Sequence, residues 1–313
     1  MSALGSAVHA LDGVDLDGLA LRQPYAVITF GGWIDAGAAS TGALSYLVEQ
    51  LAAQKVAEFE PEPFYSFSDT RPGTRLMEIG PVLIKWPHPE VWIARLPEAK
   101  RDLVLFSAPE PNLRWRTFSD TLVETLARMG VKTIISLGTI LAPIHYRAQV
   151  PLRGWASEKE HRSILLRRNI RPSGYEGPTG IATAVLVAAR AHELACVGIT
   201  GSTPSYLTGM AFPSASIALL RTVADLTDVE LPLNELESTT RKVARRIDSF
   251  LAERPELQEQ IDQLAEAEEP MTTEDPDRPA SASGELPSAD VVLRDLEEFL
   301  RQARGEDEPE ADA

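Results

Sequence analysis

The sequence predicts an α/β protein, a mostly parallel sheet with helices on both faces and a C-terminal helical extension. Three observations lead there. Several short apolar runs lack the alternation of a half-exposed strand, as strands covered on both faces do. Each run soon gives way to apolar residues at helical spacing. The turns between them are rich in glycine and proline and fall at the strand ends.

Tyr25–Phe30 (YAVITF) is the first buried strand, running straight into Gly31-Gly32-Trp33-Ile34-Asp35-Ala36-Gly37. A helix over Ala38–Leu51 follows, with Ala39, Ala43, Leu44, Leu47 and Leu51 on one face. Val82–Trp86 and Val91–Arg95 alternate around Pro87-His88-Pro89, which suggests a hairpin. Leu103–Ser107 is a strand, Leu113–Met129 a helix stopped by Gly130, and Val131–Leu137 another buried strand. The second half repeats the rhythm with a helix over Ile181–Leu194, a strand over Ala195–Thr200 and a helix over Ser214–Leu226.

Beyond Leu233 the character changes. Leu236, Val243, Ile247, Phe250 and Leu251 form an apolar stripe, and Leu257, Ile261 and Leu264 continue it past Pro255. The expected organisation is an α/β domain over 1–232, a helical segment over 233–266 and a disordered acidic linker over 267–287. A C-terminal helix over 288–304, capped by Ser288, and a disordered tail over 305–313 complete it.

Charge follows this division. The formal net charge of the 313 residues is −16, yet Ala252–Ala313 holds 20 acidic and 5 basic residues. The remainder is nearly neutral. An acidic balance disfavours nucleic acid and anionic membranes as partners. A single cysteine excludes a disulfide framework and multi-cysteine metal sites. No apolar run approaches the ~18 residues of a membrane span, and the first residues lack an export signal, so a cytoplasmic location is expected.

The loops carry the candidate chemistry. A strand, a glycine-rich turn and a helix start at Gly31–Gly37 could present N–H groups to an anion. No Lys-Ser/Thr follows, and the glycine spacing is not that of a dinucleotide fingerprint. Asp35 capping the helix is the simpler reading. Trp33, a large aromatic in a loop, calls for a pocket or a partner. In Gly174–Gly180, Thr179 can cap the next helix, whereas Glu176 lacks the second carboxylate an acid–base pair would need. His145 follows a predicted strand, at the end where open α/β sheets bind ligands. The other four histidines show no metal-ligand spacing, and no G-x-S-x-G elbow is present. Cys196 reads as a buried small hydrophobe. Two basic stretches, His161–Arg171 and Arg241–Arg246, lack interleaved aromatics and read as solvated faces or partners of the acidic tail. The candidate pocket is therefore Gly31, Gly32, Trp33, Asp35, His145, Glu176 and Thr179, with no metal and no cofactor.

Four motifs in order carry a resemblance. Phe30–Gly37, Ala108-Pro109-Glu110-Pro111-Asn112-Leu113-Arg114-Trp115, Leu137-Gly138-Thr139 with Ala142-Pro143-Ile144-His145, and Tyr175–Gly180 are similar to the actinobacterial branch of the proteasome-assembly-chaperone-2 family. The resemblance covers roughly residues 20–230. It implies a phosphorylase/hydrolase-like α/β domain, self-association with a trimer favoured, proteasome-related partners and no catalytic residues to carry over. Some archaeal relatives dock through a C-terminal hydrophobic-Tyr-any tripeptide, which Ala311-Asp312-Ala313 does not match. The expected function is a non-enzymatic interaction or assembly protein. The rival is a small-ligand binder or hydrolase/phosphorylase-like enzyme using the cleft at the carboxyl ends of the sheet.

Overall fold

A computed structural model describes residues 7–75, 83–207 and 209–266. The expected linker, C-terminal helix and tail lie outside these residues. In chain order the elements are β1 (Val8–Ala10), β2 (Tyr25–Gly31), α1 (Ala39–Gln50), β3 (Gln54–Phe59), β4 (Gly73–Arg75) and β5 (Leu83–Lys85). Then come β6 (Glu90–Ala94), β7 (Leu103–Pro109), α2 (Trp115–Arg128), β8 (Thr133–Ala142), β9 (Leu152–Ala156) and α3 (Lys159–Arg167). α4 (Ile181–Ala191), β10 (Ala195–Pro204), α5 (Pro213–Thr227), α6 (Asn234–Ala252) and α7 (Pro255–Glu266) complete the order.

Eight strands form one sheet in the order β1-β3-β6-β7-β2-β8-β10-β9. The four central strands β7, β2, β8 and β10 are parallel, and the pairings outside them are antiparallel. The architecture is thus α/β with a parallel centre, as predicted. Alternation along each central strand feeds two cores. Ala26, Ile28 and Phe30 of β2 face α2 and α4, while Val27 faces α1 and α5. On the first face Phe30, Phe59, Phe64 and Phe106 gather around Phe118 at ring separations of 5.2–6.3 Å. Each such buried aromatic contributes roughly 1.5–3 kcal/mol. A third apolar cluster joins Ile247, Phe250 and Leu251 of α6 and Ile261 of α7 to Tyr146, Tyr206, Phe212 and Ala215.

Two expectations are corrected. The 83–95 region is not a hairpin: β5 pairs with β4 in a separate two-stranded ribbon, and β6 joins the main sheet between β3 and β7. Pro87 and Pro89 remove two backbone donors from the stretch between them, so the chain passes from one sheet to the other instead of turning back. β8 extends through Ala142 rather than ending at Leu137, because β10 pairs with it along all ten residues. Gly138 and Thr139 therefore lie in a strand, and Gly138 lets Ile34 approach: a Cβ there would sit 3.2 Å from the Ile34 carbonyl oxygen.

Candidate functional site

The carboxyl ends of β2, β7, β8 and β10 lie at one end of the sheet. Beyond β2 the chain turns at Gly32, whose φ of +134° favours glycine and whose added Cβ would lie 3.2 Å from Glu110 Cβ. The Glu110 N–H donates to the Gly31 carbonyl at 2.7 Å, joining the β2 and β7 ends. Glu110 Oε1 also accepts the Ile181 N–H at 2.8 Å, so a carboxylate from the β7 loop caps α4. Thr179 does not cap that helix as expected; its hydroxyl donates to Thr183 Oγ1 at 2.6 Å. Glu110 reaches the free amide first because Gly180 leaves space beside it.

Asp35 is fully engaged. Its Oδ1 accepts the Ser40 N–H (2.9 Å), the Ser40 hydroxyl (2.6 Å) and the Thr41 N–H (3.1 Å), and its Oδ2 accepts the Thr41 hydroxyl (2.5 Å). The carboxylate thus caps α1, as its position beside the helix start suggested, and suits the positive end of the helix dipole. The preceding turn is tight. Gly37 has φ +63°, and a Cβ there would lie 2.8 Å from the Met210 carbonyl oxygen. Ala38 and Arg114, each just ahead of a helix, hold left-handed conformations unusual for side-chain-bearing residues. Thr139 stitches this turn to β8, with its N–H on the Ile34 carbonyl and its hydroxyl on that of Ala36.

Large apolar side chains surround these anchors and face solvent. Trp33 is 61% exposed and Tyr175 63%. Leu113, Ile140 and Leu141 are each about half exposed. They come from the β2 loop, the segment leading to α4, the β7 loop and the end of β8. Glu176, beside Tyr175, is exposed. Tyr175 folds its own loop by donating its hydroxyl proton to the Pro178 carbonyl at 3.0 Å.

His145 lies elsewhere. It is buried beneath α7, with Nδ1 accepting the Arg147 N–H at 3.2 Å and Nε2 3.5 Å from Asp262 Oδ1. No hydrogen bond or ion pair joins it to Trp33, Asp35 or Glu176. Cys196 is wholly buried, donates to the Leu186 and Leu194 carbonyls, and burial pushes its thiol up to about 11. Such a thiol is a poor nucleophile. Among the described residues no group of three His, Cys, Asp or Glu could hold a metal ion, and no helix is long and apolar enough to cross a membrane.

Sequence reasoning singled out Gly31, Gly32, Trp33, Asp35 and Thr179 at this end of the sheet. It missed Glu110, Leu113, Ile140 and Leu141. The one available signal was Glu110 and Leu113 inside the Ala108–Trp115 motif.

An open α/β sheet whose carboxyl end is braced by capping carboxylates and lined by exposed apolar side chains defines the class of this protein. The sequence pattern of the PAC2 family matches residues 29–251, and the chain belongs to that family. It is 34% identical to the Mycobacterium tuberculosis proteasome-assembly chaperone homologue, covering 76% of this chain and 99% of that one at a TM-score of 0.69. A PAC2 family protein from Streptomyces avermitilis is 32% identical over 72% of this chain and 95% of its own, with a TM-score of 0.66. Pyrococcus furiosus PbaB, an archaeal proteasome activator, shares the fold at 14% identity, covering 78% of this chain and 99% of that one at a TM-score of 0.61. No curated protein matches the chain.

Proposed function

We propose that this chain is a non-enzymatic interaction protein that assembles with itself and with proteasome-related subunits through the carboxyl end of its sheet. The observation that carries the reading is Trp33, a large aromatic held 61% exposed on a turn with little freedom to move. Aromatic side chains fixed at a surface are the usual anchors of protein interfaces. Ile140, Leu141, Leu113 and Tyr175 at the same end supply further apolar area. Asp35 and Glu110, at the same end, are spent on holding helix starts: Asp35 accepts on both oxygens and Glu110 accepts the Ile181 N–H. Membership of the PAC2 family, with relatives described as a proteasome-assembly chaperone homologue and a proteasome activator, supports the choice of partner.

Affinity purification of the full chain from its native host, followed by mass spectrometry, tests the partner. Proteasome subunits or their assembly factors are expected among the recovered proteins. Recovery of nothing but the chain itself overturns the chaperone reading and leaves self-assembly. Sedimentation velocity tests the surface: Trp33→Ser combined with Tyr175→Ser should shift the chain to a smaller species with unchanged melting. An unchanged sedimentation profile would sink this assignment of the interface.

Glu176 is the feature that favours the rival reading, since it is exposed on the segment leading to α4. A thermal-shift screen with nucleosides, phosphates and short peptides examines it. A shift that Glu176→Gln removes would favour a small-ligand site.

A further inference from the structure

A cleft of about 1090 Å³ lies between the loop ahead of β9, the end of α3, α5 and α6. Its charged lining is Arg153, Arg168, Arg171, Arg221, Arg241 and a single acid, Glu237. Arg168 pairs with Asp225, and Arg221 pairs with Glu237. Arg153, Arg171 and Arg241 form no ion pair with any described residue. Three free guanidinium groups around one cleft repel each other and favour an anionic occupant, above all one offering carboxylates that arginine can grip with two parallel hydrogen bonds.

The chain itself supplies such an occupant. Residues 267–313 hold 15 acidic and 4 basic side chains, and Glu268, Glu269, Glu274, Asp275 and Asp277 form a run with no basic residue among them. Geometry delivers that run to the cleft. Asp262 on the last turns of α7 lies 3.5 Å from His145, and Ala148, three residues further on, is already cleft wall. Three extended residues span at most about 11 Å, and Asp262 to Glu266 is about 6 Å of helix. With about 8 Å more for the two side chains, the chain leaves α7 within roughly 30 Å of the cleft, a gap that about nine extended residues cross. Glu274, Asp275 and Asp277 fall eight to eleven residues past Glu266, which matches that span.

We propose that the acidic run Glu274–Asp277 of the same chain occupies this arginine cleft. The run's closeness along the chain gives it a high effective concentration there, so an acidic segment of another protein must compete with it.

The test uses the full-length chain with two introduced cysteines, Gln149→Cys at the cleft and Ala280→Cys beyond the acidic run. The native Cys196 is buried and takes no label. Electron–electron distances between spin labels at the two positions should show a narrow short-range population in low salt. Adding 1 M salt, where the screening length falls to about 3 Å, should broaden it. The triple change Arg153→Gln, Arg171→Gln, Arg241→Gln should broaden it as well. Those arginines form no ion pair with any described residue of the folded body, so the triple variant should stay folded with little change in melting temperature, which a thermal melt checks directly. A distribution equally broad in the parent and in the triple variant overturns the proposal. So does a short distance that vanishes when labelled chains are diluted with unlabelled ones, because the occupant is then a second copy.

Discussion

The two ends of the parallel strands are built on opposite principles. At the amino end, Asp102 lies just ahead of β7 and is 1% exposed. It accepts the backbone N–H of Arg22 and of Leu96, each at 2.9 Å, and the Arg22 guanidinium at 2.8 Å. That guanidinium also reaches the carbonyls of Leu96, Pro97 and Ala99. Here a buried carboxylate is satisfied by backbone N–H groups and a guanidinium, which ties the strand starts together. At the carboxyl end, polar groups only brace the helix starts, and the large apolar side chains are left in water. One end spends its chemistry on holding the sheet, and the other presents a surface.

The largest effect that contrast predicts is at Asp102. Asp102→Ala strands two buried N–H groups and a guanidinium, and should cost about 2–4 kcal/mol in a denaturant melt, part of the loss being softened by the 45% exposure of Arg22. Burial alone would raise this carboxyl, but the Arg22 side chain and the N–H groups of Arg22 and Leu96 hold it below the usual carboxylate range. A folded-state value below the unfolded one means its stabilisation is present above about pH 4 and lost as the pH falls further. The gap between the parent and Asp102→Asn should therefore narrow in acid. A gap that stays constant down to pH 2 would break the assignment.

An intermediate effect belongs to the braces of the open end. Asp35→Ala should cost about 1–2 kcal/mol through loss of the α1 cap, and Glu110→Ala about 1 kcal/mol through loss of the α4 cap. Thermal melts of the two single variants check this. If either equalled Asp102→Ala, the open end would be as structural as the closed one.

How much of this contrast the sequence carries differs between the two ends. Tyr25–Phe30 shows itself as a buried strand, and Asp35 shows itself as a cap, because both signals are local. β9 does not: Leu152–Ala156 is an edge strand with Arg153 and Gly154 inside it, so its ladder comes from β10 rather than from its own pattern. Glu110 stayed hidden as a brace because its partner, Ile181, is 71 residues away. Only the packing of α4 on one face of the sheet brings them together. His145 looked like a rim residue since it follows a strand, but α7 folds back over it and takes it out of reach. Arg22 and Asp102, 80 residues apart, gave no sequence signal at all.

A smaller effect at the closed end depends on pH. His161 is buried against Tyr25, with Nε2 3.2 Å from the tyrosine hydroxyl, and burial lowers its tendency to take a proton. Its folded-state value lies below the unfolded 6.5, so the unfolded chain binds the proton more readily. Stability from this group is present above pH 6.5 and is lost as the pH falls below it. The melting temperature of the parent should therefore drop more between pH 8 and pH 5 than that of His161→Gln. Equal drops would mean that the ring is protonated in place without cost.

The smallest effect expected is at Trp33, and it bears most directly on the difference between the ends. A tryptophan with 61% of its surface in water has little burial to lose, and neither Gly32 nor Asp35 depends on it for a hydrogen bond. The turn is set by the glycine conformations and by the Thr139 contacts, which leave the indole as a passenger on a rigid frame. Trp33→Ala should therefore stay within about 0.5 kcal/mol of the parent in a denaturant melt at a concentration too low for self-association. Surface truncations without a structural role fall in that range. A cost above about 2 kcal/mol under those conditions would make the indole part of the fold, and its exposure would then no longer argue for a partner.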